Sequence, residues 1–123
     1  LGRNKDEIKD FIDLYENSYL EKEKLWVRLG LKGTMREKAD PEIVTAILRI
    51  TENSAAVFCI ELITDLLYVG GLIQGDSYDF RINFPGTTGS RNWSLVMPVS
   101  LEDIIRHPVT RKLKAIITGA GRA

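Results

Sequence analysis

The stretch AAVFCIEL, residues 55–62, decides which fold the sequence predicts. It is almost continuously apolar, it contains β-branched and aromatic side chains, and it has the length of a buried strand. Such a run, without alternating polar residues, is typical of a parallel sheet that is covered on both faces. Because each unpaired buried backbone group costs ~1–3 kcal/mol, this strand needs neighbours. Either the stretch YDFRINF, residues 78–84, pairs with it, or the other strands lie in sequence beyond this chain.

Most of the remaining chain is predicted to be helical. A first helix is expected over residues 5–29, because apolar side chains recur at helical spacing on one face while charged residues fill the other. A second helix is expected over residues 41–53, with Asp40 as its N-cap and Pro41 in its first turn. The apolar face of the first helix begins with Ile8, Phe11, Ile12, Tyr15 and Tyr19.

Shorter elements follow the predicted strand. The sequence ITDLLYVGG, residues 63–71, indicates a short helix, and residues 76–99 are expected to form a loop. Ser100 is the predicted N-cap of a helix over residues 101–107, in the manner of a capping box. A last helix is expected over residues 109–118.

Composition narrows the class of protein. The 123 residues suit one compact unit, 1–123, or a piece of a larger protein. The 17 basic and 17 acidic side chains balance, which argues against a nucleic-acid partner. No apolar run approaches the ~20 residues that span a bilayer, so no membrane partner is expected. Cys59 has no second cysteine to pair with, and this favours a reducing compartment, with the cytoplasm as the default.

No cofactor or metal is expected. The glycines of GLIQGDS, residues 71–77, lack the spacing of a phosphate-binding loop. Cys59 is interpreted as a small buried hydrophobic residue rather than a nucleophile. The single histidine, His107, precedes Pro108 at the end of a helix, where a cation interacts favourably with the helix dipole. An enzyme of another class that uses His107 is the weakest of the functional hypotheses.

The loop YDFRINFPGTTGSRNWSLVMP, residues 78–98, has an unusual composition. Glycine and proline punctuate it, yet it also carries large aromatic, basic and amide side chains. One interpretation is structural: Trp93 fills the core while Arg81 and Asn83 cap neighbouring backbone. The other interpretation is that part of this loop contacts a ligand.

The segment RINFPGTTGSRNWSLVMP, residues 81–98, resembles the C-terminal end of the amylomaltases, the disproportionating 4-alpha-glucanotransferases of the alpha-amylase clan. That family carries an Arg-x-Asn-x-Pro-Gly-Thr run, then a short spacer and Asn-Trp. The helices and the Asp65-Leu66-Leu67 sequence upstream are consistent with the same family, so the resemblance covers most of residues 20–118. The matching residues of the motif are Arg81, Asn83, Pro85, Gly86, Thr87, Asn92 and Trp93.

This resemblance implies an α/β fold and a retaining glucan transfer. The chain would be a mostly helical segment with one or two strands, the C-terminal part of a (β/α)8 TIM-type barrel, with residues 55–62 as the last strand. In that family an Asp nucleophile, a Glu acid/base and a second Asp transfer alpha-1,4-glucan segments between maltooligosaccharides. These carboxylates lie upstream of the matched region. We therefore expect no catalytic residue here and an inactive isolated chain.

The resemblance also implies a substrate-binding set in the loop. Flat aromatic faces pack on sugar C–H groups, and planar amides bind neighbouring hydroxyls. The partners implied are an alpha-1,4-glucan or maltooligosaccharide, and either the remainder of the parent barrel or a second copy. A barrel fragment would expose apolar surface around residues 55–62. The predicted substrate-binding residues are Asn83, Pro85, Gly86, Asn92 and Trp93.

The main alternative is a non-catalytic, mostly helical binding or interaction module with a core of its own. Glu61 and Asp65, which follow the predicted strand, are weaker candidates for substrate contact, because the ends of barrel strands carry the chemistry.

Overall fold

The computed structural model describes residues 5–122. Its helices are α1 (Lys5–Arg28), α2 (Pro41–Glu52), α3 (Ile63–Val69), α4 (Leu101–Arg106) and α5 (Pro108–Gly119), with a 3-10 turn at Ser77–Phe80. Across residues 5–122, no helix is both long and apolar enough to cross a membrane. The contacts divide the chain into two compact units that meet in sequence at Lys38 and Ala39.

The first unit is dominated by α1. After the helix, Gly30 and Gly33 adopt positive φ angles of 66° and 86°, which turn the chain. The following segment lies along the C-terminal part of α1: the Lys22 Nζ donates to the carbonyl of Glu37 at 2.8 Å, and the Arg36 guanidinium lies 5.7 Å from the centre of the Trp26 ring. Within residues 5–38 the apolar face of α1 has no second helix to pack on.

The second unit is a small helical domain whose first helix begins as the sequence predicts. The Asp40 Oδ1 accepts hydrogen bonds from the N–H groups of Glu42 (2.9 Å) and Ile43 (3.0 Å). Pro41 occupies the first helical position, where its missing N–H costs nothing. The apolar spacing of α2 then places Ile43 and Leu48 in the core.

The core of this unit forms where α2, α3 and α5 pack together. Leu67 and Leu48 are its most deeply buried side chains. Gly70, at the end of α3, lies against the buried Val109 of α5, since a Cβ placed on Gly70 would be 3.0 Å from the Val109 Cβ. The buried apolar side chains are Ile43, Leu48, Leu67, Ile73, Val109 and Ile116.

The predicted α/β fold is wrong. Within residues 5–122 the structure has no strand and no sheet, so the chain does not form part of a TIM-type barrel. The predicted buried strand, residues 55–62, is irregular and largely exposed. Val57, Phe58 and Ile60 expose 86%, 83% and 90% of their surface.

The physical reason is the absence of a pairing partner. The stretch 78–84, the one candidate within the chain, instead begins in the 3-10 turn and is irregular over residues 81–84. The Asp76 Oδ1 caps this turn by accepting from the Tyr78 N–H at 2.9 Å. Among the described residues, the backbone of 57–61 therefore forms no hydrogen bond. Apolar composition favours burial, but a strand also requires a neighbouring backbone.

Candidate functional site

The loop after the 3-10 turn contains a tight reversal at its tip. The Thr87 N–H donates to the Phe84 carbonyl at 3.2 Å, with Pro85 and Gly86 between them. Gly86 has a φ of 80°, the value that the third position of a type II turn requires. Pro85 presets the preceding φ, so these two residue types produce the turn locally. The Thr87 hydroxyl also donates to the Phe84 carbonyl at 2.8 Å.

Asn92 closes this loop through its side-chain amide. Its Oδ1 accepts from the Phe84 N–H at 2.8 Å. Its Nδ2 donates to the Thr87 carbonyl at 2.9 Å and to the Thr87 hydroxyl at 3.0 Å. Both amide hydrogens are thus used inside the loop. Asn92 therefore holds residues 84 and 87 in place, and its amide donors are not available to a ligand in this conformation.

The ring of Phe84 contacts two guanidinium groups. The Arg81 guanidinium is 5.7 Å from the ring centre, and that of Arg91 is 5.4 Å away. Both distances fall within the range of a cation–π contact. Arg81 also donates from Nε to the carbonyl of Asn83 at 2.9 Å and lies 5.6 Å from the ring centre of Tyr78. The basic side chains therefore fix the two arms of the loop around one aromatic ring.

Trp93 projects from the base of the loop. Its backbone N–H donates to the Ile82 carbonyl at 2.7 Å, and this hydrogen bond closes the loop. Its φ is 62°, in the left-handed region that a bulky residue rarely adopts, at a cost of about 1–3 kcal/mol. The residue exposes 77% of its surface, so the expectation that Trp93 fills the core is wrong.

The predicted binding residues fall into two groups. Asn83, Asn92 and Trp93 flank the closed base, since the backbones of residues 82 and 93 are hydrogen bonded there. Pro85 and Gly86 lie at the opposite tip. Among the described residues, the exposed side chain of Asn83 has no hydrogen-bond partner, so its amide is open to solvent.

An open depression lies on one side of this loop. A ring face, hydroxyl groups and a guanidinium surround it, a mixture that suits a polyhydroxylated ligand with apolar C–H faces. Its lining residues are Phe84, Thr87, Gly89, Ser90, Arg91 and Asn92.

A second polar cluster lies outside this loop. The ligand atoms of Glu52, Cys59 and Glu61 all lie within 4.8 Å of one another. Glu52 is buried at the end of α2, and the Cys59 thiol donates to the Glu61 Oε1 at 3.4 Å. Burial, followed by the hydrogen bonds with Glu61 and Glu52, raises the pKa of Cys59 to about 11. This thiol is therefore protonated and a weak nucleophile at neutral pH.

Arg122 neutralises the buried carboxylate of this cluster. Its Nε lies 3.5 Å from the Glu52 Oε2 and also donates to the Glu52 carbonyl. Its Nη2 donates to the carbonyls of Ser54 and Ala56, both at 2.8 Å. Each group thus has a partner without a metal ion. Sequence reasoning missed this cluster because Arg122 is 70 residues from Glu52. The signal that was available is the spacing of Cys59 and Glu61, since side chains two residues apart in an extended segment point to the same side.

His107 and Asp65, the two other candidate residues, lie at the ends of helices. His107 lies at the start of α5, where its Nδ1 accepts from the Val109 N–H at 3.2 Å. His107 also ends α4, as the sequence predicts, so the residue caps both helices at their junction. Asp65 lies in the first turn of α3, and burial raises the pKa of its carboxyl group.

The comparisons with known proteins give one partial similarity. No family model matches the chain, and no solved structure matches it. A stretch of 75 residues is 35% identical to a protein of Chlamydia pneumoniae named 4-alpha-glucanotransferase. It covers 59% of this chain but only 14% of that relative. The similarity is therefore to a short part of a longer glucanotransferase, in agreement with the resemblance carried by the motif of residues 81–93.

Proposed function

We propose that this chain is part of a 4-alpha-glucanotransferase that transfers alpha-1,4-glucan segments between maltooligosaccharides by a retaining mechanism. The observation that carries the proposal is the 35% identity over 75 residues to a protein of that name. The loop supplies the second support, because the residues of the Asn-x-Pro-Gly-Thr and Asn-Trp motifs form one hydrogen-bonded unit.

Within this function, the loop binds glucan and does not perform the chemistry. The exposed Trp93 ring packs on a sugar face, and the amide of Asn83 binds neighbouring hydroxyl groups. Pro85, Gly86 and Asn92 complete the binding set by fixing the backbone that presents these two side chains. The positive φ of Trp93 supports this assignment, since strained residues persist where function requires their direction.

The catalytic carboxylates belong to another part of the enzyme. A retaining transfer needs two carboxyl groups about 5–5.5 Å apart, facing a sugar site. Glu52 and Glu61 are close to each other, but Arg122 and the Cys59 thiol occupy them. We therefore expect no longer maltodextrins when this chain alone is incubated with maltotriose. Disproportionation by the isolated chain would contradict the assignment of the catalytic groups.

A titration with maltoheptaose tests the binding role. Trp93 and Trp26 are the two tryptophans, and Trp93 is the exposed one, so a bound glucan should shift the emission of Trp93. Calorimetry, which does not depend on the Trp93 signal, should show that Trp93→Gly and Asn83→Ala each reduce the affinity for maltoheptaose about 5- to 30-fold, the effect of losing ~1–2 kcal/mol. Trp26→Phe is the matched control and should leave the affinity unchanged. Saturable binding that survives both loop substitutions would place the glucan site elsewhere.

A non-catalytic helical binding module is the second candidate. The observation in its favour is that α2, α3 and α5 enclose a core of their own without a sheet. This module would unfold cooperatively and would not bind maltooligosaccharides. A sharp thermal transition together with no calorimetric signal from maltoheptaose would favour it over the glucan-binding role.

A further inference from the structure

We propose that α1 pairs with the α1 of a second copy of this chain in an antiparallel arrangement. The proposal does not depend on the glucanotransferase function. It follows from three features of the helix: an exposed apolar stripe, the distribution of charge along its length, and the charges beside the stripe.

The stripe is long and exposed. At 100° per residue, its side chains fall within about 60° of Ile8 on the helix surface. In the first four turns of this face the members are each about half exposed. Most of the stability of a helix in a protein comes from packing of its apolar face, so the exposed face of α1 favours an apolar partner. The members in these turns are Ile8, Phe11, Ile12, Tyr15 and Tyr19.

The available area suits a helix pair. The 24 residues of α1 extend over about 36 Å. Five half-exposed large side chains present on the order of 500 Å² of apolar surface, and the stems of flanking charged residues add to it. This approaches the ~800 Å² per partner that a standard stable interface buries.

Charge selects a second copy in the antiparallel orientation. Residues 5–16 carry five carboxylates and two lysines, whereas residues 17–28 carry two carboxylates and three basic side chains. A parallel pair would place the two acidic halves together. An antiparallel pair places each acidic half beside a basic half and also opposes the two helix dipoles.

One oppositely charged pair beside the stripe agrees with this orientation, although the same register places Glu16, at about 80° on this flank, opposite the Glu16 of the other copy. Lys9 and Glu23 lie on the same flank, at about 100° and 60° from Ile8. In an antiparallel pair each flank faces the same flank of its partner, so a pair centred on residue 16 places Lys9 opposite Glu23 in both directions. This register also places Ile12 near the Tyr19 and Leu20 of the other copy.

Light scattering on a size-exclusion column tests the pairing with the full chain. We expect the wild-type chain to have twice the mass of one chain. Tyr15→Asp should have the mass of one chain and should keep the helical ellipticity contributed by α2, α3 and α5. Lys9→Glu should weaken the dimer about tenfold, and Glu23→Lys added to it should restore the affinity. Lys24→Glu, the same charge reversal on the opposite side of the helix, is the matched control and should leave the dimer intact.

A distance measurement tests the orientation. In a Cys59→Ser background, spin labels on Lys5→Cys should be separated by about 33 Å along the axis in the antiparallel pair, against less than about 15 Å in a parallel pair. A chain of single mass at 100 µM would overturn the proposal, as would a short label distance. A dimer that survives Tyr15→Asp but is lost in Phe58→Asp would also overturn it and would place the interface at residues 57–60.

Discussion

The side chain of Asn92 and the backbone N–H of Phe84 are joined by a 2.8 Å hydrogen bond across eight residues. This bond, with the two that Asn92 makes to Thr87, replaces the regular backbone ladder that the loop lacks. The loop is therefore shaped by one amide, and its two ends are held by the pairing of Trp93 with Ile82.

Asn92→Ala should loosen this loop without unfolding the helical core. The substitution leaves the Phe84 N–H and the Thr87 carbonyl without partners, at a cost of about 1–3 kcal/mol in local opening. We expect faster hydrogen exchange at the Phe84 amide and faster proteolysis between residues 84 and 92. Ser94→Ala, which removes a hydroxyl bound only to the Arg91 carbonyl, is the control with little change. Equal exchange in both variants would show that Asn92 does not organise the loop.

Gly70→Ala should destabilise the second unit by about 1–3 kcal/mol. A methyl group there would lie 3.0 Å from the Cβ of the buried Val109, so the Val109 side chain or the two helices must shift by a few tenths of an ångström. Gly119→Ala is the matched control, because its Cβ would meet nothing within 4 Å and alanine favours the helix by up to ~1 kcal/mol. Urea denaturation should therefore show opposite shifts, and a stable Gly70→Ala variant would contradict the close approach of these helices.

Arg122→Ala should cost about 3–5 kcal/mol, since it leaves the Glu52 carboxylate buried without a cation. It also removes the donors to the carbonyls of Ser54 and Ala56. Arg111→Ala, at an exposed position of α5, should change the free energy of unfolding by less than about 0.5 kcal/mol. Glu52→Gln added to Arg122→Ala should recover part of the loss. If the loss persisted in full, the charge of Glu52 would not be its cause.

Cys59 should make stability fall at high pH. Its pKa is about 11 in the folded chain against an ordinary value of 9.0, so the folded state retains the proton between these values while the unfolded state loses it. The free energy of unfolding should thus decrease as pH rises from about 9 to 11. At pH 8 the native thiol should react with iodoacetamide about 100-fold more slowly than in guanidinium, the factor that two pKa units imply.

Glu61→Gln should speed the reaction of the native thiol, because it removes a negative charge that raises the pKa of Cys59. Cys59→Ser should abolish the pH-dependent loss of stability above pH 9 that belongs to this thiol. An alkylation rate in the native chain equal to that in guanidinium would refute the raised pKa.

Local chemistry allowed several elements to be predicted from the sequence. The Asp40-Pro41 pair predicts the start of α2, and Ser100 with Asp103 predicts the start of α4; both caps are confirmed, with the Asp103 N–H donating to the Ser100 Oγ at 3.2 Å. The Pro85-Gly86 turn also follows from residue type, because proline and glycine each fix a φ angle. These features need only neighbours a few residues away.

The sequence by itself determined the helices, the caps at Asp40 and Ser100 and the turn at Pro85 and Gly86, since their hydrogen bonds close within a few residues. It could not determine whether residues 55–62 form a strand. A strand requires hydrogen bonds to another backbone, and the composition of the segment does not show whether that backbone is present. The tertiary structure alone decided the exposure of Trp93 and the meeting of Arg122 with Glu52. Both depend on how distant segments pack, and packing depends on the whole chain rather than on any local pattern.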